Sequence, residues 1–123
     1  MNIDITFTHA PIALEPSRLP SREIGAVVEF LGVVREKEGA ETIAGLQYEA
    51  YEAMARRVLE GHVHELAALH PCAGVVFVHR LGFVPVGEAS LLVRVFAKHR
   101  GAALALCGKL IDLMKSDVPI WKR

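Results

Sequence analysis

The sequence predicts an α+β domain in which two helices pack on a mainly antiparallel sheet. Short runs rich in β-branched and aromatic residues recur along the chain. Two longer stretches repeat apolar residues at helical spacing. The resulting order is β-loop-β-β-α-β-β-α, which suggests helices laid on one sheet.

Taken in order, residues 2–9 alternate cleanly. Ile3, Ile5 and Phe7 fall on one side and Asp4, Thr6 and Thr8 on the other, the pattern of a half-buried strand. Pro11, Pro16 and Pro20 punctuate a loop over residues 11–20. Residues 25–35 are dense in β-formers and read as a long strand, with Gly32 marking a bulge or a close backbone approach. The charged stretch 36–41, with Gly39, reads as an exposed loop, and residues 43–51 as the second strand of a hairpin with 25–35. Met54, Val58, Val63, Leu66 and Leu69 give residues 52–70 a helical stripe that Pro71 ends. Residues 75–80 form a strand and 81–89 a turn rich in glycine and proline. Residues 90–97 form the partner strand. Ala103, Leu106, Leu110, Leu113 and Met114 mark a second helix over 101–115.

With 123 residues, the chain forms one domain spanning 1–123, long enough to bury about two-thirds of its unfolded surface. A hydrophobic content of 52% with 23% charged residues excludes a disordered chain. There is no run of 18 apolar residues and no signal-peptide pattern at the start, so the sequence predicts a cytoplasmic protein that does not span a membrane. Cys72 and Cys107 lack metal-ligand spacing and read as free, buried thiols of a reducing compartment.

Net charge is zero but unevenly distributed. Residues 94–123 carry seven basic residues against two acidic ones, a net of +5, and residues 1–93 carry the balancing −5. A small anionic substrate or an acidic tail suits that end. Nucleic acid does not, because its binding usually needs a basic domain overall.

Within the basic region, Lys98-His99-Arg100 falls where a strand ends and a helix starts. Helix N-termini present N–H groups to anions and normally prefer acidic side chains. A phosphate cradle of His99 and Arg100 explains cations there better than a solvated helix start. Lys115 and Lys122 bracket the only tryptophan, with Pro119 between them. Proline cannot continue a helix, so the chain turns after Lys115 and folds Lys122 back toward it. At the edge of the apolar stripe, Lys115 faces opposing influences. Burial and a second ammonium favour the neutral amine, whereas the helix C-terminus favours the cation. Arg35 ends an apolar strand, a place that suits an anion ligand and a solvated terminus equally. His79 reads as a packed core histidine, and His62, His64 and His70 lack metal-site spacing. Nucleophile-elbow, P-loop, dinucleotide and Cys-x-x-Cys patterns are absent from the sequence.

Taken together, these stretches resemble the large, catalytic subunit of molybdopterin synthase. The resemblance rests on Gly-Ala-Val-Val-Glu-Phe-Leu-Gly-Val-Val-Arg (25–35), Leu-Gln-Tyr-Glu-Ala-Tyr (46–51), Val-His-Arg-Leu-Gly (78–82), Val-Pro-Val-Gly-Glu (84–88), Ala-Lys-His-Arg (97–100) and Leu-Met-Lys-Ser-Asp-Val-Pro-Ile-Trp-Lys-Arg (113–123). It implies an α/β-hammerhead fold and a homodimer within a heterotetramer. Each large subunit would bind a small ubiquitin-like sulfur carrier ending in a Gly-Gly thiocarboxylate. The implied reaction transfers sulfur to cyclic pyranopterin monophosphate (precursor Z), forming the dithiolene of molybdopterin, with no metal or other cofactor at this step. By motif, Lys115 and Lys122 would be the catalytic lysines. Arg35, His99 and Arg100 would hold the phosphate or the incoming tail, and Val33, Val34 and Arg123 would line the same pocket. A non-catalytic anion-binding regulatory module and a docking module for an acidic protein are the alternative readings of the basic region.

Overall fold

The computed structural model describes residues 1–15 and 18–122. Eleven elements follow one another: β1 (Asn2–Thr8), β2 (Ala26–Val33), β3 (Lys37–Glu38), β4 (Glu41–Thr42), β5 (Gly45–Ala50), α1 (Glu52–Leu69), β6 (Gly74–Arg80), β7 (Gly82–Pro85), β8 (Ala89–Ala97), α2 (Arg100–Asp117) and β9 (Ile120–Lys122). The main sheet has the order β1-β6-β8-β2, a smaller sheet the order β7-β5-β9, and β3-β4 is a two-rung hairpin. Only the β1–β6 pair is parallel among these ladders. The result is the expected α+β arrangement of two helices on a mixed, mainly antiparallel sheet.

Alternation decides which face of the main sheet meets the helices. Leu91, Val93, Val95 and Ala97 of β8 are buried in the same cluster as Val75 and Phe77 of β6 and Ile5 of β1. Against them α1 sets Ala55, Leu59, Val63 and Leu66, and α2 sets Ala103, Leu106, Cys107, Leu110 and Met114. Each fully buried large apolar side chain contributes about 1.5–3 kcal/mol relative to exposure. The α1 stripe is rotated from the expected one. Ala55 and Leu59 are buried, whereas Met54 is 42% exposed and Leu69 is 75% exposed. Small Ala55 takes the core-facing place on the helix, fully buried in the main cluster.

Three expectations about strands change. The run 25–35 does not form a hairpin with 43–51: β2 pairs antiparallel with β8, and β5 belongs to the small sheet. A register shift at Gly32/Val33 ends the β2 ladder. Beyond it, Val34 donates its N–H to the Glu88 carbonyl at 3.1 Å and accepts from the Gly87 N–H at 2.9 Å. The chain thus peels away from the main sheet before β5 begins. Second, the expected turn 81–89 contains β7. Gly82, at φ +82°, bends the chain out of β6, and Pro85 closes an edge strand where its missing N–H is tolerated. Gly45 lets β5 lie against β7, because a Cβ there would sit 2.4 Å from the Val84 carbonyl oxygen. Third, the chain after α2 forms β9 rather than a simple return. Val118 is extended, at φ −82° and ψ 131°, as the residue before Pro119 must be. Ile120 to Lys122 then pair with Ala50 to Tyr48.

Replacing Leu110, fully buried under the sheet, with Ala should cost about 2–5 kcal/mol. Leu104→Ala on the same helix, at a site 58% exposed, should stay within about 0.5 kcal/mol. Urea midpoints measure both, and equal shifts would contradict this packing.

Candidate functional site

Between the two sheets, below the C-terminal end of α2, lies a cavity of about 700 Å³. That volume suits a small organic ligand. The end of β2 supplies one wall from Phe30 through Arg35, and the β3–β4 hairpin contributes Glu38. Leu46 and Tyr48 come from β5, His79 from β6, and Ser90 and Leu91 from β8. Met114 and Lys115 come from α2, and Ile120 and Lys122 from β9.

The expected convergence of Lys115 and Lys122 is therefore present, and its cause is the one anticipated at Pro119. Arg35, Val33 and Val34 line the same space. Val33 is half exposed, while Val34 is buried in a second small core with Leu46 and Val84. The Lys122 ammonium donates to Glu38 Oε1 at 3.0 Å. Arg35 and Lys115 have no acidic partner among the described residues. Among the described residues, three cationic side chains thus share the cavity with one carboxylate, an electrostatic setting for an anion. Lys115 is exposed rather than half-buried.

The expected phosphate cradle lies elsewhere in the chain. His99 occupies the N-cap position of α2 without a side-chain capping hydrogen bond, and Arg100 is the first residue of that helix. At about 1.5 Å per residue, His99 and Lys115 are about 24 Å apart along α2. His99 instead borders a separate hollow of about 340 Å³ with Lys98 and Cys72. The +5 segment is accordingly spread along the molecule. Arg94 is buried in an ion pair with Glu29, and Lys98 lies 3.9 Å from Glu23. Lys109 lies 3.1 Å from His70. Arg123 and Pro16 fall outside the described residues.

Three further residues reach the cavity. Glu38 lies in the charged stretch that reads as an exposed loop, and its contact with Lys122 spans 84 positions, beyond any local pattern. Tyr48 lies on the cavity side of β5, because its neighbours Gln47 and Glu49 face outward. His79 is a packed histidine, 4% exposed, but it also borders the cavity. Its Nδ1 is 2.8 Å from the Arg80 carbonyl oxygen, and its ring meets Tyr48 edge-on at 4.9 Å between centroids. Burial lowers its pKa from 6.5, with the Arg80 carbonyl opposing. Burial also pushes the Cys72 and Cys107 thiols up, so neither is an activated nucleophile. Among the described residues, no cluster of three His, Cys, Asp or Glu could hold a metal ion, and no helix is long and apolar enough to cross a membrane.

The chain is similar to known proteins. The family model described as MoaE protein matches residues 7–117. A molybdopterin synthase catalytic subunit from Oryza sativa subsp. indica is 43% identical over 99 residues, covering 80% of this chain and 51% of that protein. One from Aspergillus niger is 39% identical over 127 residues, covering all of this chain and 69% of that protein. The chain thus spans about half the length of the rice relative. The crystal structure of molybdopterin synthase from Staphylococcus aureus superimposes with a TM-score of 0.87 at 33% identity, covering 94% of this chain and 86% of that one. A complex of subunits 1 and 2 of molybdopterin-converting factor from Helicobacter pylori gives 0.72 at 28% identity, covering 96% and 82%.

The His79 environment carries a pH signature. The unfolded imidazole takes up a proton near pH 6.5, while the folded one resists it. The stability this group contributes is present above that pH and lost below it. Unfolding by urea at about pH 7.5 and about pH 5.5 should show a larger acid loss for the wild type than for His79→Asn. An equal loss would show that His79 is not held neutral.

Proposed function

The chain belongs to the MoaE protein family, and on that premise we propose that it is the catalytic subunit of a molybdopterin synthase. Its substrate is cyclic pyranopterin monophosphate, and its sulfur comes from the C-terminal thiocarboxylate of a small ubiquitin-like subunit. The observation that carries this reading is the meeting of Arg35, Lys115 and Lys122 in one cavity. Both reactants are anions, and three cations in a recess attract and orient them.

In the transfer, the thiocarboxylate sulfur forms a bond to a side-chain carbon of the substrate, and the displaced oxygen leaves with the electron pair of its broken bond. An ammonium beside that oxygen neutralises the charge and supplies a proton. Lys115, with no acidic partner among the described residues, is the better donor. Lys122, hydrogen-bonded to Glu38, is better suited to holding and polarising. Arg35 offers a bidentate fork to phosphate or carboxylate.

His99 and Arg100 enter this reading through a second copy of the chain. At about 22 to 24 Å from Lys115 along the helix, they cannot share one small substrate with it in the same subunit. A homodimer that brings the N-terminus of one α2 beside the partner's cavity would reunite them. The small subunits would complete a heterotetramer, in keeping with the two-subunit complex of the H. pylori relative. Arg123 belongs to the same proposal through its motif alone. Cytoplasmic residence fits the two free thiols.

The test is reconstitution with thiocarboxylated small subunit and precursor Z. Lys115→Ala should lower molybdopterin formation by about 100-fold or more, and Lys122→Ala should raise KM as well as lower kcat. Wild-type rates from Lys115→Ala would overturn the assignment. Phosphate binding by the wild type without turnover would favour the regulatory module instead.

A further inference from the structure

We infer that His79 is the general base that frees the sulfur carrier after transfer. This rests on the sulfur-transfer reading above and adds a residue to it. The carrier arrives with its acyl carbon bonded to sulfur. Once that sulfur is bonded to the substrate, carrier and substrate are joined through a thioester. Release requires an oxygen nucleophile at the acyl carbon, and water supplies it. One O–H bond of the water breaks as its proton passes to a base. A C–O bond forms, and the C–S bond breaks with its electrons leaving on sulfur. The carrier departs as a carboxylic acid, which gives its second proton to solvent. No oxidant or reductant is needed.

The other polar side chains of the cavity are poorly suited to take that proton. Arg35, Lys115 and Lys122 are cationic donors, and Glu38 already accepts from Lys122. Tyr48 presents a phenol, and Ser90 donates its hydroxyl to the Gly32 carbonyl at 3.3 Å. His79 differs. A carbonyl only accepts, so the contact with Arg80 O fixes the proton on Nδ1 and leaves the lone pair on Nε2. Nε2 has no hydrogen-bond partner among the described residues. The only sealed, unpartnered side-chain polar atom among them is Arg80 Nε, so Nε2 keeps access to open space. The edge-on Tyr48 ring restricts rotation of the imidazole, and burial favours its neutral form. The arrangement is that of an oriented, neutral base with a free acceptor.

His79→Asn and His79→Gln separate the roles. The Asn amide can still donate to the Arg80 carbonyl but lacks the distal acceptor; the Gln amide reaches the distal position but cannot take a proton. In single turnover with the small subunit and precursor Z, both variants should accumulate a carrier–substrate thioester, seen by intact mass. Final product should slow by about 100-fold. Product at the wild-type rate without the adduct would overturn the inference, as would variants that stall with unreacted thiocarboxylate. A second measurement needs no variant. Adduct decay in the wild type should slow about tenfold per pH unit once the imidazole is protonated, with Arg35, Glu38, Tyr48, Lys115 and Lys122 as the other titratable groups of the cavity. Decay independent of pH would overturn the inference equally. A wild type that transfers no sulfur overturns the proposed function along with this step, whereas a wild type that transfers sulfur alongside unaffected variants overturns this step alone.

Discussion

The site depends on the turn at Val118-Pro119. Proline has no N–H to extend the helix and forces the residue before it into extended geometry. The chain therefore leaves α2 and pairs with β5 over Ile120–Lys122. The Tyr51 N–H, donated to the Pro119 carbonyl at 3.1 Å, ties the turn to the start of α1. Without that short ladder Lys122 would not face Lys115 across a cavity, and the small sheet would lose an edge. Three residues of pairing are weak alone. The packing of Met114 and Val118 into the main core, with Ile120 against it, provides the anchorage.

Local chemistry made much of the fold legible. The alternation of Ile3, Ile5 and Phe7 identified β1 and its buried face, and Pro71 and Pro119 marked where the helices end. Pairing was harder to read. Residues 25–35 and 43–51 both look like strands, but a period of two gives a strand its faces and not its neighbour. What separates them is the register break at Gly32/Val33 and the backbone bonds of Val34 to Gly87 and Glu88. Those bonds join parts of the chain more than fifty positions apart. β7 was hidden for a related reason: glycine and proline flanking two apolar residues read as a turn, and only the partner strand β5 reveals the ladder.

The site divides in the same way. The proline-turn geometry that brings the two lysines together was written in the last nine residues. The separation of His99 and Arg100 from them is equally physical, since an 18-residue helix keeps its ends apart. The +5 segment does not form one surface, because of that helix length and the pairing of Arg94 with Glu29. Glu38 and His79 reach the cavity through long-range folding, and their roles depend on partners that no neighbouring residue predicts.

Under the proposed function, the carrier's C-terminus ends beside Lys115 and Lys122 in their shared cavity. Zero-length carbodiimide coupling in the complex with the small subunit, followed by peptide mass mapping, tests this most directly. The expected product is an isopeptide bond from the carrier's terminal carboxylate to Lys115 or Lys122. Coupling confined to Lys98 or Lys109 would contradict it.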